Sequence, residues 1–170
     1  MRLLRCLPIV GVVLLLGGCA GYKLGPTNGL RAGEKTIQVV PFSNQTIEPR
    51  LGDSVTEAVR KQLQRDGTFR LATHEAGDIV VNGAITSYQR LVQRLAPTDL
   101  ATAQDYRLRM TARVIARDRA TDKIIFDQPV TGQTLLRVGA DLPSSERQAL
   151  PLLAADLAKN ITALLVDGSW

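Results

Sequence analysis

The chain has 170 residues, a net charge of +5 and 45% hydrophobic residues, which fits one globular domain and makes a large two-domain enzyme implausible. Two cysteines and one histidine supply too few groups for a zinc site, a disulfide framework or histidine-based catalysis. Aromatic residues make up only 4% of the chain, so few rings could stack on nucleic-acid bases. We therefore expect a protein that is not an enzyme, holds no metal or cofactor and binds no nucleic acid.

Residues 1–18 have the layout of an export signal. Two arginines precede the apolar run 7–16, which is about half as long as a membrane-spanning helix, and Gly17 and Gly18 come directly before Cys19. Residues 16–19 resemble the bacterial lipobox. That resemblance implies that the Cys19 thiol receives a diacylglycerol, that the signal is removed and that the new amine is acylated. An ordinary secretory signal with a chance cysteine is the alternative.

Ala20 follows the lipidation cysteine, whereas aspartate would be expected there for retention at the inner membrane. This favours a lipid anchor in the outer membrane, with the domain on the periplasmic side. Turn-forming residues then dominate up to Gly29. We expect a signal peptide at 1–18, the lipidated cysteine and a tether at 19–33, and one domain at 34–170.

The first half of the domain alternates between strand and helix patterns. Apolar residues recur every four positions from Leu51 to Leu63, through Val55 and Val59, which predicts a helix that Gly67 ends in a left-handed cap. In chain order, the predicted elements are a strand at 36–42 that ends near Pro41, a polar loop at 43–46, the helix at 51–65, and strands at 69–72 and 79–91.

Residues 106–118 give the cleanest alternation in the chain, with small or apolar side chains at even positions and arginines at many odd ones. This predicts an amphipathic strand with a basic outer face. Matching the apolar faces of 106–118 and 122–136 predicts that Val114 pairs with Phe126 and Met110 with Val130.

A C-terminal helix is expected to begin at a cap formed by Ser144 or Ser145, with Pro151 starting or kinking its main part. Its predicted apolar stripe is Leu150, Leu153, Leu157, Ile161 and Leu164, and Gly168 ends it. The whole order predicts an α+β fold in which two helices pack on a mixed, mostly antiparallel sheet of about four to five strands.

Arginines on the outer strand face form the candidate binding site. In the predicted register Arg113 lies opposite Asp127, whereas Arg107 and Arg109 face Gln133 and Thr131 and have no acidic partner. Arg90 and Arg94 add positive charge at the end of the preceding strand. Guanidinium groups match phosphate geometry, so these four arginines predict an anion-binding surface, and phosphorylated lipid is the anion available to an exported lipoprotein. A solvated sheet face with unrelated arginines is the alternative.

Three other groups of residues are weaker candidates. Residues 52–55 resemble the nucleophile block of GDSL-type hydrolases, but Ser54 lacks the histidine base found near the C-terminus in those enzymes. His74, with Glu75 and Asp78 nearby, has no further histidine or cysteine to complete a metal site. The acidic pair at Asp118 and Asp122 is compensated by neighbouring basic residues, so we assign no calcium site.

Several separated segments resemble the LPS-assembly lipoprotein family of the LptE type. The resemblance lies in their order and spacing together with the lipobox, and it covers most of the chain after Cys19. The matching segments are 21–24, 37–46, 63–71, 78–85, the hairpin 106–126 and 153–161. Ala20 departs from the family pattern, in which Gly-Tyr or Gly-Phe often follows the cysteine directly.

This resemblance implies an α+β domain that lies as a plug inside an LptD-type outer-membrane β-barrel, helps the barrel to assemble and binds lipopolysaccharide at its basic surface. It does not align the family's basic ligand residues with Arg107 or Arg109, which rest on the strand pattern alone. Lipoproteins of curli-secretion channels and activators of penicillin-binding proteins are the alternatives. A channel should show a long alternating transmembrane hairpin, which the pattern does not indicate, and an activator usually carries a longer tether.

Overall fold

The computed structural model describes residues 32–96, 99–138 and 141–168. Within them the chain forms six strands and two helices, numbered here in chain order. They are β1 Thr36–Val39, β2 Ser43–Asn44, α1 Leu51–Asp66, β3 Arg70–Leu71, β4 Ile79–Ala96, β5 Asp99–Asp118, β6 Ile124–Arg137 and α2 Leu142–Asp167. The anchor cysteine Cys19 and the predicted signal and tether up to residue 31 lie outside the described residues.

The strands form one mixed sheet in the order β3-β1-β4-β5-β6, and β2 pairs with β4 beside β1. β1 runs parallel to β3 and β4, whereas β4, β5 and β6 are antiparallel. This confirms the predicted α+β class. The sheet has one more strand than the upper expectation because Ser43 and Asn44, predicted as part of a loop, pair with Ala84 and Ile85.

The helix α1 packs its apolar stripe into the core as the sequence predicts. Leu51, Val55, Val59 and Leu63 are all buried. The helix ends at Gly67, whose φ of 75° is left-handed and whose amide donates to the Leu63 carbonyl at 3.1 Å. Burying four such side chains stabilises the fold by about 1.5–3 kcal/mol each.

The helix α2 begins earlier than predicted. Its N-cap is Asp141, whose carboxylate accepts a hydrogen bond from the Ser144 amide at 2.7 Å, so the prediction of Ser144 or Ser145 as the cap is wrong. The helix continues through Pro151. Leu153, Leu157 and Ile161 are buried as expected, but Leu164 is exposed and Leu165 takes its place in the core.

The helix α2 is also long and apolar enough to cross a membrane by length and composition. Its window of highest hydropathy is 44% buried within the domain. Leu153, Leu157 and Ile161 belong to the same core cluster as β5 and β6. We therefore interpret it as a core helix.

The alternation along β5 is confirmed, but its pairing with β6 differs from the prediction by two residues. Val114 lies opposite Gln128 and Met110 opposite Gly132, instead of Phe126 and Val130. A shift of two residues keeps every side chain on its predicted face, so hydrophobic matching could not detect it. The observed register is set beside the turn, where a bulge follows the pair Ala116–Phe126.

The strand β4 contains a bulge that the sequence pattern did not reveal. Ile85 pairs with Ala112 but Ser87 pairs with Thr111, so Thr86 is an extra residue. A β-bulge reverses which side chains face the core. Before it, Ile79, Val81 and Ile85 are buried as predicted, whereas after it Tyr88 lies opposite buried Met110 and turns toward the helices.

The strands β4 and β5 make a hairpin with arms of 18 and 20 residues, longer than the predicted strands at 79–91 and 106–118. The strand bounds predicted from the sequence are therefore too short at the tip of the hairpin, whereas the expectation that the chain lacks a long transmembrane hairpin of alternating residues stays a prediction. The hairpin extends past β6, whose pairing with β5 ends at Asp105 and Arg137.

Gly132 on β6 allows close contact between the sheet and α2. A Cβ atom at this position would lie 2.6 Å from the Leu157 backbone nitrogen and from the Leu157 Cβ. We expect Gly132→Ala to destabilise the domain by about 2 kcal/mol, because the helix must shift to admit the methyl group. Gln133→Ala, on the neighbouring exposed position, is the control. Chemical denaturation of both variants checks this, and equal stabilities would contradict the close packing.

Candidate anion-binding face of the sheet

Both helices cover the same side of the sheet, and among the described residues no element covers the other side, here called the open face. α2 packs on β6 and β5, and α1 packs on α2 and on the β1 end of the sheet. Leu108, Met110, Ala112, Val114 and Ala116 of β5 are buried in the core. Between residues 107 and 117 the open face therefore displays the odd-numbered side chains of β5, namely Arg107, Arg109, Thr111, Arg113, Ile115 and Arg117.

Arg107 and Arg109 lie side by side at the middle of the open face. Arg107 pairs with Leu91 on β4 and Leu135 on β6, and Arg109 pairs with Gln89 and Gln133. In the described part of the chain neither guanidinium takes part in an ion pair. Their cross-strand neighbours in the described residues are not acidic, although they differ from the predicted Gln133 and Thr131.

The arginines around this pair are neutralised by carboxylates. Arg113 donates two hydrogen bonds of 2.9 Å to Asp127, which lies diagonally across the strands. The predicted ion pair is therefore present, but the two residues are not directly opposite each other. These hydrogen bonds hold the pKa of the Asp127 carboxyl below its usual range. Arg117 lies 3.3 Å from the Asp122 carboxylate. Charge on the open face is therefore concentrated at Arg107 and Arg109.

Arg94 is on the open face but is held in a cluster with Asp105. The Asp105 carboxylate lies 3.4 Å from Arg94 on one side and 3.3 Å from Arg137 on the other. All three occupy consecutive positions across β4, β5 and β6. Asp105 compensates only one of the two positive charges, so this cluster adds one net positive charge beside Arg107.

Arg90 does not belong to the open face. The bulge at Thr86 places it opposite buried Leu108, on the helix side, where it lies 3.4 Å from buried Glu146 of α2. Glu146 also accepts a hydrogen bond from the Tyr88 hydroxyl. The pKa of the Tyr88 phenol is raised, mainly by burial and to a smaller extent by its hydrogen bond to Glu146. Arg90 thus links α2 to β4 and is separate from Arg107 and Arg109.

Apolar side chains flank the arginine pair, a feature that the sequence analysis did not predict. Leu135 is 68% exposed and Leu91 is 36% exposed, and they lie on either side of Arg107. A polar groove borders Arg109, formed by Ser87, Gln89, Thr111, Thr131, Gln133, Asp156 and Asn160. The open face therefore offers both guanidinium donors and exposed leucines, which suits an anionic amphiphile better than a small inorganic anion.

The carboxylate of Asp156 in this groove is already engaged. It accepts a hydrogen bond from the Gln133 amide at 2.8 Å, and Asn160 donates to the Thr131 carbonyl at 2.9 Å. Both contacts join α2 to backbone groups on the outer edge of β6. They position the helix along that edge and set one border of the groove.

The weaker candidates occupy separate places. Ser54 donates to the Arg50 carbonyl at the start of α1. Asp78 accepts hydrogen bonds from the amide and hydroxyl of Thr36, which lower its pKa, and Asp118 is held similarly by Thr121. Among the described residues no cluster of three histidine, cysteine or acidic side chains could hold a metal ion.

The structure thus defines an α+β domain with two helices on one side and a basic, partly apolar open face on the other. The family model named LptE, lipopolysaccharide-assembly, matches residues 34–165, which is most of the chain. The chain belongs to the LptE lipopolysaccharide-assembly family. No match was found among curated proteins.

Solved structures share this fold at low sequence identity. A hypothetical protein from Chlamydia trachomatis superimposes with a TM-score of 0.59 at 13% identity, covering 82% of this chain and 98% of its own. A putative lipoprotein from Caulobacter crescentus gives 0.52 at 13%, covering 74% and 88%. A minor lipoprotein from Acinetobacter baumannii gives 0.51 at 17%, covering 78% and 92%. These likenesses establish the fold alone.

Proposed function

We propose that this chain is a non-enzymatic outer-membrane lipoprotein, anchored through Cys19 on the periplasmic side, that serves as a plug in an LptD-type β-barrel. In this role it assists assembly of the barrel, which delivers lipopolysaccharide to the cell surface. The match of residues 34–165 to the lipopolysaccharide-assembly family carries the proposal. The lipobox-like residues 16–19 support the anchor.

We also propose that lipopolysaccharide contacts the open face. Its phosphates would be held by Arg107 and Arg109, whose charge no carboxylate in the described part of the chain neutralises. Exposed Leu91 and Leu135 would contact its acyl chains. Arg94 contributes through the net positive charge of its cluster with Asp105 and Arg137. Arg90 takes no part in this surface, because it is directed toward α2.

Affinity purification tests the partnership. A tagged copy of the full chain, recovered from detergent-solubilised outer membranes, is expected to bring down one large β-barrel in about equal molar amount. Barrels of unrelated function in the same membranes are the internal control and should be recovered only at background level. Recovery of a peptidoglycan synthase or a curli-type secretion pore in place of the barrel would contradict the proposed function.

A further inference from the structure

The two long edges of the sheet are treated differently. On β6, the Gln133 backbone amide donates a hydrogen bond to Asp156 of α2, and the Thr131 carbonyl accepts one from Asn160 of α2. Pro129 has no backbone N–H to donate. Side chains that satisfy edge backbone groups, and proline at an edge, block the addition of another strand. The middle of the β6 edge is therefore protected.

The outer edge of β4 is covered only over its first part. β1 pairs with Ile79, Val80 and Val81, and β2 with Ala84 and Ile85. The last bond in this series runs from the Gln45 amide to the Ile85 carbonyl at 3.0 Å, where the chain turns away toward α1. Within the described part of the chain no strand pairs with that edge over residues 87–96.

The pairing register identifies which backbone groups point outward from this free edge. In an antiparallel pair, successive residues direct their amide and carbonyl alternately toward and away from the partner strand. Val81 and Ile85 point away from β5 before the bulge, since their carbonyls accept from Val40 and Gln45. The extra residue Thr86 reverses this order. Tyr88, Arg90 and Val92 therefore present their backbone groups to the free edge.

The side chains along residues 87–96 are compatible with burial of this edge against another protein segment. Val92 is 52% exposed, and Leu91 is also exposed on the open face. Residues 87–96 contain no proline, glycine, aspartate or glutamate. The charge of Arg90 faces the helix side beside Glu146, and that of Arg94 is paired with Asp105. Within the described residues, one side-chain contact to an outward group is made by Gln93, whose amide nitrogen donates to the Val92 carbonyl at 3.3 Å.

We propose that the free edge of β4, from Tyr88 to Val92, is a strand-addition site that accepts an extended segment of the barrel partner. The inference rests on the proposed function, because the occupant is taken to be that barrel. Main-chain hydrogen bonds to Tyr88, Arg90 and Val92 hold the added segment, and the exposed Leu91 and Val92 side chains select apolar residues on it. The added strand continues the line of β1 and β2 along β4.

Hydrogen exchange in the purified complex tests the pattern directly. Residue-resolved exchange of the full chain, free and bound to its barrel, should show the Tyr88, Arg90 and Val92 amides slowed about tenfold or more in the complex. The Gln89 and Leu91 amides, which already face β5, should change little. Unchanged exchange at the three outward amides would overturn the inference while leaving the proposed function intact. Failure to recover any barrel with the wild-type chain would overturn both.

Two substitutions at one position separate backbone from side-chain effects. Val92→Pro removes the outward amide and leaves pairing with β5 possible, because proline is tolerated where the N–H faces away from the sheet. It should lower recovery of the barrel about tenfold. Val92→Thr keeps the amide and should retain most of the recovery. Equal recovery of the barrel with both variants would overturn the inference. The inference would also be overturned if, in the free chain without barrel, exchange of the three outward amides slowed as the protein concentration rose, because a second copy of the chain would then be the occupant.

Discussion

Replacing Arg107 and Arg109 together by alanine is expected to weaken binding of lipopolysaccharide about 100-fold at low salt. Each uncompensated guanidinium can form charge-assisted hydrogen bonds with a phosphate, and losing one such contact on a partly exposed face costs about 1.4 kcal/mol, or tenfold. Two losses give the expected product. Fluorescence or calorimetric titration of the folded domain with purified lipopolysaccharide measures the effect.

The dependence of binding on salt concentration distinguishes loss of charge pairing from a structural change of the surface. The Debye length falls from about 10 Å at 0.1 M salt to about 3 Å at 1 M, so wild-type binding should weaken with salt and the double variant should change much less. A double variant with Arg113→Ala and Asp127→Ala removes a neutral pair from the same face and should bind nearly as wild type. Equal affinities of wild type and the Arg107 and Arg109 variant at low salt would reduce these arginines to solvated surface residues.

Replacing Cys19 by serine is expected to abolish acylation of the chain, seen as loss of labelled palmitate incorporation. The serine hydroxyl is too weak a nucleophile to accept the diacylglycerol. Metabolic labelling with palmitate followed by immunoprecipitation measures the incorporation.

The second cysteine provides the control for this experiment. Cys6 lies within the predicted signal at 1–18, so Cys6→Ser should leave palmitate incorporation unchanged. Both variants keep the basic start and the apolar run of the signal, so export itself is preserved. Palmitate incorporation into the Cys19→Ser protein, at the level of the Cys6→Ser protein, would contradict the lipid anchor.

The predictable parts of this fold are those whose periodicity stays constant. The spacing of four between Leu51, Val55, Val59 and Leu63 defines α1, and strict alternation over residues 106–118 defines the two faces of β5. These patterns depend on burial of one face, which sequence records directly. The open face and its uncompensated pair Arg107 and Arg109 could therefore be predicted before the structure.

The errors occur where the period changes or where it cannot discriminate. The extra residue Thr86 reverses the faces of β4, so Arg90, predicted beside Arg94, lies on the helix side. A second shift between Val92 and Arg94 returns Arg94 to the open face. The predicted pairing of β6 with β5 differs from the observed register by two residues, because a shift of two residues leaves every side chain on the same face.

The exposed leucines beside Arg107 could not be predicted from the sequence for a different reason. Leu91 and Leu135 are far apart in sequence and meet on the open face only through pairing of β4 and β6 with β5. In sequence each is an apolar residue of a strand, which suggests a core position. The combination of leucine and arginine that suits an anionic amphiphile is thus a property of the register.

The amount of lipopolysaccharide at the cell surface after depletion of this chain tests the central claim most directly. Antibody binding to intact cells quantifies it, with surface levels of an unrelated outer-membrane barrel as the control. We predict that surface lipopolysaccharide falls as the chain is depleted and returns when wild-type protein is expressed again, while the control barrel is unaffected. Undiminished delivery of new lipopolysaccharide to the surface in depleted cells would contradict the claim.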